Sequence, residues 1–280
     1  MQQLSDPAEL RRSCDDLRRR GQRIGFVPTM GYLHEGHLSL VRLARERADA
    51  VVVSVFVNPT QFGPSEDLAR YPRDLSGDAD KCSAAGVDLF FVPDVAAVYP
   101  EGHQTFVSVG ALAEPLCGAR RPGHFRGVCT VVTQLLNMVG PCAMVLGEKD
   151  YQQLQVLRRM VRDLHLPAEV IGGPIVREPD GLALSSRNVY LKPEERRAAT
   201  ALSRALFTTR ERARGRGMTA SEALELARGI LAAEPLVRLD YLEARDPETL
   251  EPADVVAEGK AVLLVAAFLG ATRLIDNVRV

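Results

Sequence analysis

Tryptophan is missing from this 280-residue chain and lysine nearly so, with Lys81, Lys149, Lys192 and Lys260 standing beside 31 arginines. A surplus of either charge is missing too: 35 basic residues face 36 acidic ones, for a net charge of −1. That balance argues against binding nucleic acid or an anionic membrane by bulk charge, since both need an excess of basic side chains. It leaves room for a small polyanion held in one pocket. No stretch reaches the roughly 18 apolar residues of a spanning helix. Residues 1–25 carry charges throughout, so neither a secretory signal nor an anchor is expected there. The five cysteines, Cys14, Cys82, Cys117, Cys129 and Cys142, are odd in number, scattered and never spaced C-x-x-C. Reduced, buried thiols in a cytoplasmic protein are the expectation, rather than a zinc cluster or a disulfide framework.

What is present is an ordinary globular composition, 46% hydrophobic and 25% charged, at a length that suits about two domains. Up to about residue 175, apolar runs alternate with helical patterns. Strands are expected at 23–28, 50–57, 88–92, 142–146 and 169–171. Helices are expected at 7–20, 36–48, 74–85, 128–138 and 151–164. Strands separated by helices of this length imply right-handed βαβ units and a parallel sheet, and the Val-rich run at 50–57 fits a strand covered on both faces. The pattern then changes to helices at 193–212 and 219–232 followed by strands at 237–245, 261–268 and 272–279, a small α+β arrangement. Turn residues at 172–174 (GGP) and 177–181 (REPDG) place the boundary near 175–182. The fold class is therefore α/β, a Rossmann-like doubly wound parallel sheet over 1–176 with a smaller α+β C-terminal domain over 177–280.

The strongest local feature is the passage from the first of these strands into its helix, PTMGYLHEGH at 28–37. In a doubly wound sheet, ligands lie beyond the carboxyl ends of the strands, where the next helix presents free N–H groups and a positive dipole. His34 and His37, three apart, fall on one helical face about 5–6 Å from each other, placed to hydrogen-bond phosphate oxygens. Gly31 and Gly36 permit close approach of the backbone. Zinc would want H-E-x-x-H and a further ligand, and a purely structural pair of histidines is the plain alternative. No G-x-G-x-x-G follows the first strand, and Gly259-Lys260 is followed by Ala261, so there is no Walker loop.

GEKDYQQ at 147–153 is again a strand end entering a helix. Its scarce lysine, Lys149, offers a compact ammonium suited to phosphate, and Asp150 and Gln153 share a helical face; a charged helix cap is the bland reading. In LSSRN at 184–188, two hydroxyls and a guanidinium could close over phosphates, or simply start a helix. NPTQFG at 58–63, YPR at 71–73 and RPGHFRG at 121–127 supply further polar loops.

Taken together and in order, PTMGYLHEGH, FVNPTQFG, YPRD, RPGHFRGV, GEKDYQQ and LALSSRN resemble the pantothenate synthetase (pantoate–β-alanine ligase) family, within the nucleotidyltransferase superfamily marked by a His-x-Gly-His type turn. Weaker likeness returns in DYLEARDPETLEP at 240–252 and TRLIDN at 272–277. The resemblance implies ATP-dependent joining of pantoate to β-alanine, with AMP and pyrophosphate released by way of a pantoyl adenylate.

By the same resemblance His37, His34, Lys149 and Arg187 are catalytic, His37 as the acid and His34 as its partner on the phosphates. ATP is held by Met30, Gly31, Tyr32, Leu33, His34, Glu35, Gly36, His37, Gly147, Glu148, Lys149, Asp150, Val176, Leu184, Ser185, Ser186 and Arg187. Lys149 reaches the phosphates and Asp150 the ribose. Gln61 and Gln153 hold pantoate, Gln61 also lying near β-alanine, and Asn58, Tyr71, Arg121 and His124 complete the substrate site. Mg²⁺ bridges the phosphates with no protein residue assigned to it, and the assembly is a homodimer. A flap between Asn58 and Arg73 and a closing second domain are expected to keep water out. Leu184 stands where the family often has Met, a volume-conserving change, and Tyr32 replaces a smaller residue. The alternative within the superfamily is an adenylyltransferase acting on a phosphorylated vitamin precursor, which would use the same turn without an amine acceptor.

Overall fold

The computed structural model describes residues 1–64 and 66–280; Ser65, inside the expected flap, lies outside the described residues. The chain divides into two compact units, Met1–Glu148 with Gln152–Pro174, and Lys149–Tyr151 with Ile175–Val280.

The first unit is an all-parallel six-stranded sheet with helices. Its strands are β1 (Gln2–Leu4), β2 (Ile24–Thr29), β3 (Ala50–Val55), β4 (Leu89–Phe91), β5 (Cys142–Gly147) and β6 (Ala168–Gly173), in the order β1-β4-β3-β2-β5-β6. Helices α1 (Pro7–Arg19), α2 (Glu35–Arg47), α3 (Leu75–Ala84), α4 (Val95–Val98), α5 (Cys117–Arg120), α6 (His124–Val139) and α7 (Tyr151–Asp163) run between them, Tyr151 grouping with the second unit. α1 starts where its sequence says it should, Asp6 accepting from the Glu9 N–H at 2.8 Å ahead of Pro7. β2 and β3 bury four or more residues in succession, as strands covered on both faces must. Val27, Val51, Val53 and Val145 pack there against Leu40, Val41 and Ala44 of α2.

Two expectations for this unit change. β1 pairs with β4, Gln2 opposite Leu89; only three residues long and with one of them buried, it carries no sequence pattern. α6 begins at His124 rather than near 128. The Gly127 that suggested a loop is needed inside this helix, because a Cβ there would lie 2.4 Å from the Thr60 carbonyl oxygen.

The second unit packs α8 (Pro193–Ala198), α9 (Thr200–Ala213) and α10 (Ala220–Ala232) with an antiparallel sheet of β8 (Val237–Arg245), β10 (Val262–Leu269) and β11 (Thr272–Arg279), ordered β11-β10-β8. A two-stranded ladder joins β7 (Met218–Thr219) to β9 (Val255–Val256). Leu202, Leu206 and Leu231 meet Leu263, Val265 and Leu269 in its core. The single helix expected at 193–212 is interrupted at Ala199, which keeps helical angles (φ −59°, ψ −25°). The break is thus one of hydrogen bonding rather than direction. Among the described residues, no helix is long and apolar enough to cross a membrane. All five cysteines are free thiols, and burial pushes Cys14, Cys82, Cys129 and Cys142 up to about 12, where a thiol is inert.

Candidate active site

β2 has β3 on one side and β5 on the other, so the strand order reverses at its carboxyl end, which is where an open α/β sheet makes its ligand crevice. The turn leaving β2 enters α2 through two histidines that cap each other's backbone. His34, the N-cap, accepts the Gly36 N–H on Nδ1 at 3.1 Å, and His37 Nδ1 accepts the His34 N–H at 3.3 Å. Their ring centroids are 4.1 Å apart. With Nδ1 accepting in both rings, the neutral imidazoles carry their protons on Nε2. The turn therefore sets two Nε2–H donors side by side at a positive helix end. Glu35 forms an exposed ion pair with Arg42 further along α2.

The preceding turn is held from α3. Gly31 and Tyr32 both adopt positive φ, 82° and 53°, and a Cβ on Gly31 would lie 2.8 Å from Val55 Cγ1, so only glycine fits there. The Asp78 carboxylate, 1% exposed, accepts the Tyr32 N–H at 2.8 Å and the Leu33 N–H at 2.6 Å. These two amides thus serve the turn. Burial pushes the Asp78 carboxyl up against the smaller opposing pull of those amides. Sequence reasoning missed Asp78; the available signal was an acidic residue one helical turn before the buried Cys82. Asp78→Asn keeps one acceptor but aims an NH₂ group at a backbone N–H, a mismatch costing about 1–3 kcal/mol. Adenylate formation is expected to fall roughly 10- to 100-fold with an unchanged circular dichroism spectrum. Wild-type rates of pyrophosphate exchange in this variant would show that the turn holds without its carboxylate.

A second cluster follows β3, where Pro59–Gln61 forms a single 3₁₀ turn capped by Asn58. The buried Asn58 amide donates to Gln61 Oε1 at 3.0 Å and to the Gly127 carbonyl at 3.2 Å, and its Oδ1 accepts from Tyr99 Oη at 2.8 Å. Gln61 Nε2 in turn lies 2.9 Å from Met30 Sδ, joining this cluster to the first turn. Tyr99, which the sequence did not single out, is kept a donor by burial, which raises its phenol.

Arg121 and His124 sit behind this turn. His124 is buried and its Nδ1 lies 2.9 Å from the Gln61 carbonyl oxygen, which can only accept. Nδ1 is therefore protonated, and Nε2 accepts from Arg121 Nη1 at 3.0 Å. Arg121 also makes a bidentate pair with Glu66 at 2.7 Å for both bonds. Burial alone would raise the Glu66 carboxyl, but the hydrogen bonds and charge of Arg121 outweigh it and hold the pKa below the usual range. In this structure Arg121 and His124 both reach the Gln61 carbonyl oxygen. Tyr71 is buried edge-on against Phe62 at 5.8 Å. Gln153 is half-buried on α7, whereas its neighbour Gln152 spends its amide on the 112–117 segment.

Gly147 ends β5 and Glu148 opens a 3₁₀ turn that closes at Asp150. In the second unit, Lys149 is 19% exposed and its Nζ lies 3.9 Å from Asp150 Oδ2. Val176 and Leu184 are brought together by a 3.0 Å backbone bond, next to the bridge between Arg177 and Ala183. Ser185 then caps the turn Ser186–Tyr190 by accepting the Arg187 N–H, and that turn packs on β11. Among the described residues, no three His, Cys, Asp or Glu side chains cluster as metal ligands.

The pantoate-beta-alanine ligase family model matches residues 2–279. Pantothenate synthetase 1 of Bradyrhizobium diazoefficiens is 54% identical over 99% of this chain and 98% of its own length. The pantothenate synthetase of Myxococcus xanthus is 56% identical over 99% and 95%. The crystal structure of pantothenate synthetase from Thermus thermophilus superposes with a TM-score of 0.94 at 54% identity, covering 100% of this chain and 99% of that one. The Francisella tularensis pantoate-beta-alanine ligase, crystallised with beta-gamma ATP and beta-alanine, gives a TM-score of 0.81 at 31% identity, with 100% and 97% covered. With a family model that spans nearly its whole length and relatives this similar, the chain belongs to the pantoate–β-alanine ligase family.

Proposed function

We propose that this ligase works in two steps, adenylating pantoate with ATP and then passing the pantoyl group to β-alanine. The observation that carries the proposal is the reciprocal cap of His34 and His37, which presents two oriented donors and a helix N-terminus where the strand order reverses. In the first step a pantoate carboxylate oxygen attacks the α-phosphorus, a P–O bond to pyrophosphate breaks, and negative charge gathers on the phosphate oxygens. Catalysis of such a transfer consists of neutralising that charge and aligning the attack. His34 and His37 supply donors to the phosphates, and Lys149 and Arg187 supply cations. Asp150 takes the ribose. Gln61, fixed by Asn58 and His124, and Gln153 take pantoate. The Francisella relative, with its nucleotide and β-alanine, supports the same pair of ligands here.

In the second step the neutral β-alanine amine attacks the acyl carbon of the mixed anhydride, AMP leaves, and the amine gives up its proton. The acyl group is already activated, so no side-chain nucleophile is called for. Water is the competitor, and excluding it is the task we assign to the segment 58–73. Magnesium belongs to this proposal as an ion carried by the triphosphate. It commonly keeps most of its waters and takes few protein ligands, so it would add charge neutralisation at the phosphates without a dedicated protein cage. A homodimer in the cytoplasm completes the reading.

The deciding experiment supplies ATP and pantoate without amine and measures exchange of labelled pyrophosphate into ATP, then adds β-alanine and measures AMP release. Exchange without amine followed by amine-dependent AMP is expected. Exchange that itself requires β-alanine would replace the adenylate by a concerted route, and exchange with no AMP released after the amine is added would point to a plain adenylyltransferase, which leaves AMP on its product.

A further inference from the structure

Two C-terminal segments that share the family likeness, 240–252 and 272–277, take no part in the site as described so far. Both end on the three residues that follow Glu148. Asn277 Nδ2, on β11, donates to the Lys149 carbonyl oxygen at 2.9 Å, and Tyr151 Oη donates to the Pro247 carbonyl oxygen at 2.9 Å. Lys149–Tyr151 accordingly group with Ile175–Val280 and not with the residues flanking them in sequence.

Both anchors are themselves fixed. Asn277 is buried, its N–H donates to Asp276 Oδ1 at 2.8 Å, and Asp276 is gripped through two 2.7 Å bonds by Arg177. Pro247 lies in a turn where the Asp246 carboxylate accepts the N–H groups of Glu248 and Thr249, each at 2.8 Å.

We propose that Asn277, seconded by Tyr151, is a positioning residue for Lys149. A lysine ammonium rides on a flexible four-carbon stem, so its aim depends on a backbone root that does not move, and precise sites are built on such support. The Asn277 carboxamide holds that root at the lysine's own carbonyl, and the Tyr151 hydroxyl holds it two residues on. The two likeness-bearing segments are thereby accounted for as the mount of one side chain. The proposal rests on the assignment of Lys149 to the ATP phosphates.

The test is a double-mutant cycle in the full-length protein, read by pyrophosphate exchange and the KM for ATP. Asn277→Ala alone is expected to slow exchange about tenfold and raise the KM, yet to change it by less than about twofold in a Lys149→Ala background. Tyr151→Phe, which keeps the ring, is expected to cost about threefold and to lose that effect in the same background. Should Asn277→Ala fail to fold, Asn277→Ser and Tyr151→Phe carry the cycle. Equal losses in both backgrounds, or no loss in the single variants, overturn the positioning role alone. An unimpaired Lys149→Ala would instead bring down the phosphate assignment and this proposal with it.

Discussion

His37→Ala is expected to slow pantoyl adenylate formation by roughly 10²- to 10³-fold, the usual consequence of losing one preorganised donor to a developing negative charge. The substitution removes two things at once. One is the Nε2–H donor. The other is the Nδ1 acceptor that caps the His34 N–H at 3.3 Å, worth about 1 kcal/mol of helix stability. A second variant separates the cap from the imidazole ring. Glutamine is a usual residue at this third helical position because its side chain reaches back to the N-cap N–H. His37→Gln should therefore recover the thermal stability lost in His37→Ala while staying slow in pyrophosphate exchange. If His37→Gln recovers the exchange rate as well, an amide cap and N–H serve as well as the imidazole, and the ring itself is not required.

That the two histidines cap a helix start where the strand order reverses explains why this turn stood out in the sequence. A capping box needs particular residue types at fixed spacing, a phosphate site needs N–H groups at a helix start, and PTMGYLHEGH satisfies both within ten residues. The two central strands were legible for a comparable reason: burial on both faces leaves Val51, Val52 and Val53 no alternative to being apolar. What escaped depends on partners distant in sequence. Asp78 reaches back more than forty residues to the Tyr32 and Leu33 amides, and Tyr99 reaches Asn58 across a similar gap; the helical spacing of Asp78 from Cys82 signals burial but not this partner. The RPGHFRG segment shows the same limit. Its histidine and arginine are expected at the substrate site, and His124 places its ring nitrogens on the Gln61 carbonyl and Arg121. Both side chains meet the Gln61 carbonyl oxygen, a partner far off in sequence that the segment itself does not announce. Local periodicity encodes which way a side chain faces, but not what else will be there.

Lys149→Ala is expected to have the other large effect, again roughly 10²- to 10³-fold on adenylate formation, with almost no change in folding stability. The asymmetry follows from what the side chain does in the free protein. Its Nζ stands 3.9 Å from Asp150 Oδ2, and that carboxylate is 50% exposed; pairs of this kind contribute about 0–1 kcal/mol. The anchoring bond from Asn277 goes to the backbone carbonyl, which alanine retains, so the turn keeps its mount. The loss should therefore fall on ATP: on kcat for adenylation if the ammonium meets charge that develops in transfer, and mainly on KM if it meets only the ground-state triphosphate. Lys149→Arg sharpens the distinction. It preserves the charge but replaces a compact ammonium by a broad planar fork, in a chain that otherwise uses arginine for 31 of its 35 basic residues. A point charge at a fixed root predicts that arginine restores ATP affinity more than rate. Full recovery of both by Lys149→Arg would mean that any cation serves at this position, and the retention of lysine here would lose its physical reason.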